Sequence, residues 1–207
     1  MALRQNEAMS LVIPVAHDYI CPWCWIALHQ VKRLEDQFGV TFDWLGYELL
    51  PDDLPWPDYS PAPAGDPRKT PTPSRMALAY AASGMENPTA ERPPKMRSHN
   101  ALEAAEHAKT QGVFDAFNER MYRAFWEEGR EINHLDVIRE LGADLMNADA
   151  LVEAVVEKRY ADKIVPFDDA AYDAGIFNVP TYIIDGRKYA EEPYAVLEKA
   201  VLDALNR

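Results

Sequence analysis

Cys21 and Cys24 are the only cysteines among 207 residues, and Pro22 stands directly after the first of them. Two randomly placed cysteines would fall three apart about once in a hundred placements. From Pro22 onward the apolar residues Cys24, Ala27, Leu28, Val31, Leu34 and Phe38 recur at intervals of three and four, and Gly39 follows. That spacing predicts an amphipathic helix over 22–38 with a glycine stop. Proline is favoured at the first helical position, where its missing N–H costs nothing and its φ is already helical. Cys21 is therefore expected at the N-cap, its sulfur facing the unpaired N–H groups of Trp23 and Cys24 and the positive end of the helix dipole.

Such a position favours thiolate over thiol, so the sequence predicts a lowered pKa for Cys21. It also predicts a division of labour. Cys21, at the exposed tip, is the attacking nucleophile, and Cys24, one turn in on the apolar stripe, resolves the mixed disulfide. A zinc half-site uses the same spacing but needs two more ligands, and the five histidines are scattered at 17, 29, 99, 107 and 134. Two inert core cysteines would not require a proline-initiated helix or the polar approach through His17 and Asp18.

The flanks of this helix constrain the fold. Leu11–Ala16 reads as a strand, with Pro14 demanding an edge or a bulge. Val40, Phe42 and Trp44 alternate with polar residues as a second strand, and strand, helix, strand implies a parallel crossover. Residues 51–73 hold eight of the sixteen prolines and form an extended connector. Helical periodicity then runs through 74–83, 100–111, 113–126, 134–141 (with Asn133 as its cap) and 148–158. Pro166 is expected to open a short helix ending at Gly175. Thr181–Ile184 and Arg187–Ala190, joined by Asp185-Gly186, read as a hairpin, and Pro193 opens a last helix with Tyr194, Leu197, Val201 and Leu205 inward.

Charge and composition narrow the functions. With 21 basic and 34 acidic residues the net charge is −13, which repels phosphate backbones and anionic lipid; neither nucleic acid nor a membrane is an expected partner. A hydrophobic content of 48% supports a real core. Met1–Ser10 has no secretory pattern, and the uncharged run Tyr19–Val31 is shorter than the roughly 18 apolar residues of a membrane span. A cytoplasmic protein is expected.

Five segments together resemble a known family: Asp18-Tyr-Ile-Cys-Pro-Trp-Cys24, Tyr47-Glu-Leu-Leu-Pro51, Asn100-Ala-Leu-Glu-Ala-Ala-Glu-His107, Ala124-Phe-Trp-Glu-Glu-Gly129 and Gly175-Ile-Phe-Asn-Val-Pro-Thr-Tyr-Ile-Ile-Asp-Gly186. They are similar to the DsbA-like thiol oxidoreductases, in particular the cytoplasmic FrnE branch. The resemblance implies an α/β thioredoxin fold, built from 1–73 and 160–207, interrupted by an all-helical insertion over 74–159. It implies thiol-disulfide exchange with protein or small-molecule thiols through Cys21 and Cys24, with no bound cofactor. It also implies that the Val179-Pro180 bond is cis and lies against the cysteines, where Pro180 shapes the docking site and the Val179 backbone pairs with substrate. On the sequence alone, a trans proline at a strand start is the ordinary reading.

Two departures from the family carry consequences. Strong oxidants of the DsbA type have a histidine where this chain has Trp23, so the disulfide here is expected to be less oxidising, between about −120 and −270 mV. After the hairpin, Tyr189-Ala-Glu-Glu-Pro193 replaces a Ser-Gly-Ala-Gln type stretch, which alters substrate contacts at that rim. The alternative on the same scaffold is a glutathione-dependent enzyme of the kappa-class transferase or 2-hydroxychromene-2-carboxylate isomerase type, with glutathione as cosubstrate; these typically lack the second cysteine. Asp18 is a loop cap or a proton relay. Of Trp23 and Trp25, one is expected in the core and the other at a docking surface. Phe125-Trp126 reads as packing, and Glu127-Glu128 and Glu191-Glu192 as solvated faces.

Overall fold

The computed structural model describes residues 11–57 and 73–207. The N-terminal stretch 1–10 and most of the proline-rich connector, 58–72, lie outside the described residues.

Strand β1 (Val12–His17) leads into α1 (Pro22–Phe38) and then β2 (Thr41–Glu48). Helix α1 has the predicted bounds. Pro22 occupies its first turn, and Gly39 closes it in the left-handed region (φ 65°), its N–H donating to Glu35 O at 2.9 Å. β1 and β2 pair in parallel from Val12 opposite Thr41 to His17 opposite Gly46. Among the described residues five α-helices follow: α2 (Arg75–Ala82), α3 (His99–Thr110), α4 (Phe114–Trp126), α5 (Leu135–Gly142) and α6 (Ala148–Val156). The chain then re-enters the sheet through β3 (Val165–Pro166), α7 (Asp169–Asp173), the hairpin β4 (Thr181–Ile184) and β5 (Arg187–Ala190), and α8 (Tyr194–Leu205). Among the described residues the sheet runs β3-β2-β1-β4-β5, with β4 antiparallel to both β1 and β5. This is a thioredoxin fold carrying a helical insertion.

Several local expectations are corrected. Pro14 sits in a central strand, not at an edge. Leu11 O accepts from Thr41 N (3.0 Å), so alternate residues of β1 face β2 and Pro14 faces the other side, beyond the Val15 and Ala16 positions where β4 pairs. The absent N–H therefore breaks no ladder bond. Pro166 ends β3 opposite Glu48 and opens no helix. The helix begins instead at Asp169, where the Asp168 carboxylate accepts from Ala170 N at 2.8 Å. Asn133 does not cap α5. Its Oδ1 accepts from Asn100 N (2.8 Å) and Ala101 N (3.3 Å), capping α3, whereas His134 takes the N-cap of α5. In α8, Leu197 and Val201 are buried as expected, but Leu205 is exposed.

The core is continuous across the sheet and the inserted helices, with Ile13, Leu34, Leu102, Phe117, Met121 and Ile138 among its buried members. Beneath the N-terminus of α1 it becomes aromatic. His17 packs edge-on to Tyr19 and Trp44, and its Nδ1 lies 2.9 Å from the Tyr122 hydroxyl. Trp126 donates its indole N–H to Tyr19 O at 2.8 Å. Residues of the insertion thereby hold the loop that leads from β1 to the cysteines.

Candidate active site at the start of helix α1

Four residues separate β1 from α1, and their turn is pinned at both ends. Cys21 N–H donates to Asp18 O (3.2 Å), while the Asp18 carboxylate accepts from Ile20 N (3.2 Å) and Leu49 N (2.7 Å). Asp18 is thus a loop cap, tying the approach to the cysteines to the end of β2. It is fully buried, and burial raises its carboxyl to about 6 against the pull of the Leu49 and Ile20 N–H groups, with Glu48 pushing it further up.

Cys21 is the N-cap of α1 in extended conformation, as predicted, but its sulfur takes no capping bond from the helix. The Cys24 N–H instead donates to Cys21 O at 3.0 Å, and the Cys21 thiol donates to Val179 O at 3.2 Å. Nor is Cys21 an exposed tip, since only 5% of its surface is open. Cys24 is fully enclosed behind it. Burial pushes the Cys24 thiol well above its ordinary value, and the Cys21 sulfur and the Asp18 charge add to that shift. Both cysteines are unlinked.

The Val179–Pro180 peptide bond is cis, and this segment meets α1 across the sheet's end. Beside it a groove of about 710 Å³ is bounded by Trp23, Pro180, Leu78 of α2 and Tyr194 of α8. Trp25 is buried against His29, so of the two tryptophans Trp23 is the one at the groove. Arg75 stacks its guanidinium on Trp23, 4.4 Å from the ring centroid, and its Nη2 meets Glu191 Oε2 at 2.8 Å. Glu191 is therefore not part of a solvated acidic face; it is largely covered and joins the β5–α8 turn to α2. Structure thus brings together Cys21, Cys24 and Val179, with Trp23 and Pro180 forming the adjoining wall. Among the described residues no group of three or more His, Cys, Asp or Glu is placed to hold a metal ion.

A sequence profile for the DSBA-like thioredoxin domain matches residues 12–204, from β1 through α8. The chain belongs to that family. It is similar to the protein YwbO of Bacillus subtilis (strain 168), 27% identical over 179 residues that span 85% of this chain and 88% of that one. Among solved structures, a probable DsbA oxidoreductase from Streptomyces coelicolor superposes with a TM-score of 0.69 at 20% identity, covering 95% of this chain and 91% of the other. The cytosolic disulfide reductase DsbM from Pseudomonas aeruginosa, solved with GSH, gives 0.57 at 21% identity, covering 93% and 100%. At these identities the two structures share the fold of this DSBA-like chain.

Proposed function

We propose that this DSBA-like protein is a thiol-disulfide oxidoreductase in which Cys21 attacks and Cys24 resolves. The observation that carries the reading is the Cys21 thiol held on Val179 O at 3.2 Å with Cys24 enclosed behind it. In the reducing direction, a Cys21 thiolate attacks a substrate disulfide RS–SR′, forming Cys21–S–S–R and expelling R′S⁻. Cys24 then loses its proton and attacks the Cys21 sulfur, releasing RS⁻ and leaving a Cys21–Cys24 disulfide. Two electrons pass from the cysteines to the substrate; the reverse sequence oxidises a dithiol. Asp18, ionised at neutral pH and electrostatically felt by Cys24, is the proposed acceptor of that buried proton.

Pro180 and Trp23 form the docking wall, and the Val179 backbone, covered in the free protein with its O accepting the Cys21 thiol, is the proposed pairing edge for an extended substrate once Cys21 turns to the substrate's sulfur. Glutathione is the proposed small-molecule thiol and the cytoplasm the proposed setting, with no bound cofactor in the reaction; the similarly folded DsbM carries GSH in its structure. The glutathione-dependent isomerase alternative has no use for Cys24, and Cys24 stands directly behind Cys21. The deciding experiment is a Cys24→Ser variant, which should accumulate mixed disulfides on Cys21 identifiable by mass spectrometry. Absence of any adduct, with no dithiol-dependent reductase activity in the parent, would remove the reading.

A further inference from the structure

Trp23, Ile26, Gln30 and Arg33 follow one another along α1 at intervals of three and four, the spacing of a single helical stripe, and all of them line the 710 Å³ groove. One end of that groove adjoins the reacting sulfur, because the groove residue Pro180 follows Val179, whose O holds the Cys21 thiol at 3.2 Å. From Trp23 to Arg33 the helix advances about 15 Å, at ~1.5 Å per residue. An extended peptide rises about 3.3 Å per residue, so about five of its residues cover that length.

The stripe changes chemistry along its length. Near the cysteines it is apolar, with Trp23, the buried Ile26 and, across the groove on α2, Leu78, which is 57% exposed. Gln30 in the middle is fully engaged: its Nε2 donates to Glu192 O at 3.1 Å, and its Oε1 accepts from the Tyr182 hydroxyl at 3.0 Å. Arg33 stands at the far end, its guanidinium 3.7 Å from the Tyr194 ring centroid. Charge balance sets this arginine apart. Of the other charged residues at the groove, Arg75 and Glu191 neutralise each other at 2.8 Å, and Glu192 forms no ion pair among the described residues. Glu198, which also acts on Tyr194, accepts from Gln37 at 2.9 Å. Among the described residues Arg33 thus has a stacking partner but no carboxylate. A guanidinium held flat on a ring keeps its fork of donors open for one.

We propose that the groove selects extended peptide substrates with a carboxylate side chain about five residues from the reacting cysteine, bound by Arg33. This inference rests on the oxidoreductase reading and names a substrate class for it, an acidic polypeptide whose intervening apolar residues lie against Trp23 and Leu78. The preference runs against the protein's overall field. A net charge of −13 repels an acidic chain at long range, so any gain from a glutamate in the substrate has to come from a local cation.

The test uses the full-length reduced protein and symmetric disulfide dimers of a short, end-capped peptide with a central cysteine. About five residues to either side stands glutamate in one peptide and glutamine in the other; a third peptide carries the glutamates next to the cysteine. The parent is expected to reduce the first about fivefold faster than the second, the upper range for an exposed ion pair. Arg33→Gln should bring that ratio to about one, and Arg33→Glu should turn it below one. The third peptide should show no advantage over the second. Each value is a ratio within one protein, so altered folding or cysteine reactivity cancels. A parent ratio of one or less, a ratio that survives Arg33→Gln, or an advantage independent of the glutamate's position overturns the proposal. Reduction of oxidised glutathione but of no peptide overturns it too, whereas failure with every disulfide would overturn the oxidoreductase reading itself.

Discussion

Asp18 accepts the Leu49 N–H at 2.7 Å from a position with no exposed surface, so a single carboxylate both ties the cysteine loop to β2 and stays ionised inside the protein at neutral pH. Its folded pKa, about 6, lies above the 3.8 of an ordinary aspartate. The folded state therefore holds an extra proton between those values, and stability from this group rises as pH falls from 6 to 3.8. Above pH 6 the cost of a buried charge is fully present, about 3 kcal/mol by linkage. In Asp18→Asn the parent's gain on acidification should disappear. Urea unfolding of both proteins at pH 7.5 and pH 4 checks this; the difference between them should shift by about 2.4 kcal/mol in the parent's favour at the lower pH. An unchanged difference would mean that Asp18 is not strained by burial.

The preceding residue titrates in the opposite sense. His17 is enclosed by Tyr19, Trp44 and Tyr122, and burial, with Lys109 adding to it, lowers its pKa to about 3. Above pH 6.5 it is neutral folded or unfolded and contributes no slope. Below that, only the unfolded chain takes the proton, and stability falls by about 1.4 kcal/mol per pH unit until pH approaches 3. His17→Phe strands the Tyr122 hydroxyl and lowers stability at every pH, but it should flatten the acid branch by one proton. The slope of unfolding free energy between pH 6.5 and 4, compared with the parent's, is the measurement.

Gly129 and Gly112 both have φ of 70°, and they differ in what surrounds them. A methyl at Gly129 would run into the Glu91 carbonyl, whereas among the described residues nothing lies within 4 Å of one at Gly112. Alanine at either position costs about 1–2 kcal/mol for the left-handed backbone. Only Gly129→Ala should go beyond that, by about 1–3 kcal/mol more, because the 90–92 segment must move off the helix end. Arg92 leaves Trp126 with it, so the tryptophan emission should change in this variant and stay constant in Gly112→Ala. Equal destabilisation of the two would show that the segment gives way freely.

How far the site could be read in the sequence follows from where its information lies. Helix α1 was legible to the residue because Pro22, the three-and-four spacing and Gly39 all act within one segment. The cap of α5 was misread because Asn133 stands where a local cap would, yet its carbonyl oxygen is used by Asn100 and Ala101, 33 and 32 residues away. Glu191 looked solvated for the same reason, since Arg75 reaches it from a distant helix. Cys21 was placed correctly on the chain, but its sulfur's partner, Val179 O, is 158 residues on. Local rules reach elements; the partners of a side chain are set by the packing of elements on one another.

The residue between the cysteines should tune their potential. Trp23 brings no charge to the helix start, whereas an imidazolium there would stabilise the thiolate and so the reduced pair. The parent is expected between about −120 and −270 mV, and Trp23→His should move toward the oxidising end. Equilibration with glutathione redox buffers reads both values. A parent potential at the oxidising limit would show that the helix start suffices without a charged neighbour.

Trp23 has a second role, which a different substitution isolates. It forms the groove wall opposite α2 with one face on the Arg75 guanidinium, and the groove adjoins Pro180. Trp23→Ala removes apolar area that a peptide would cover, worth about 1–2 kcal/mol for an aromatic contact at an interface. Reduction of a disulfide-bonded peptide should therefore lose about tenfold in kcat/KM, mostly through KM. Oxidised glutathione reaches Cys21 without spanning that wall, so its rate should change by less than about twofold. If both substrates slow equally, Trp23 acts on the Cys21 sulfur and not on docking, and the groove is no part of the recognition surface.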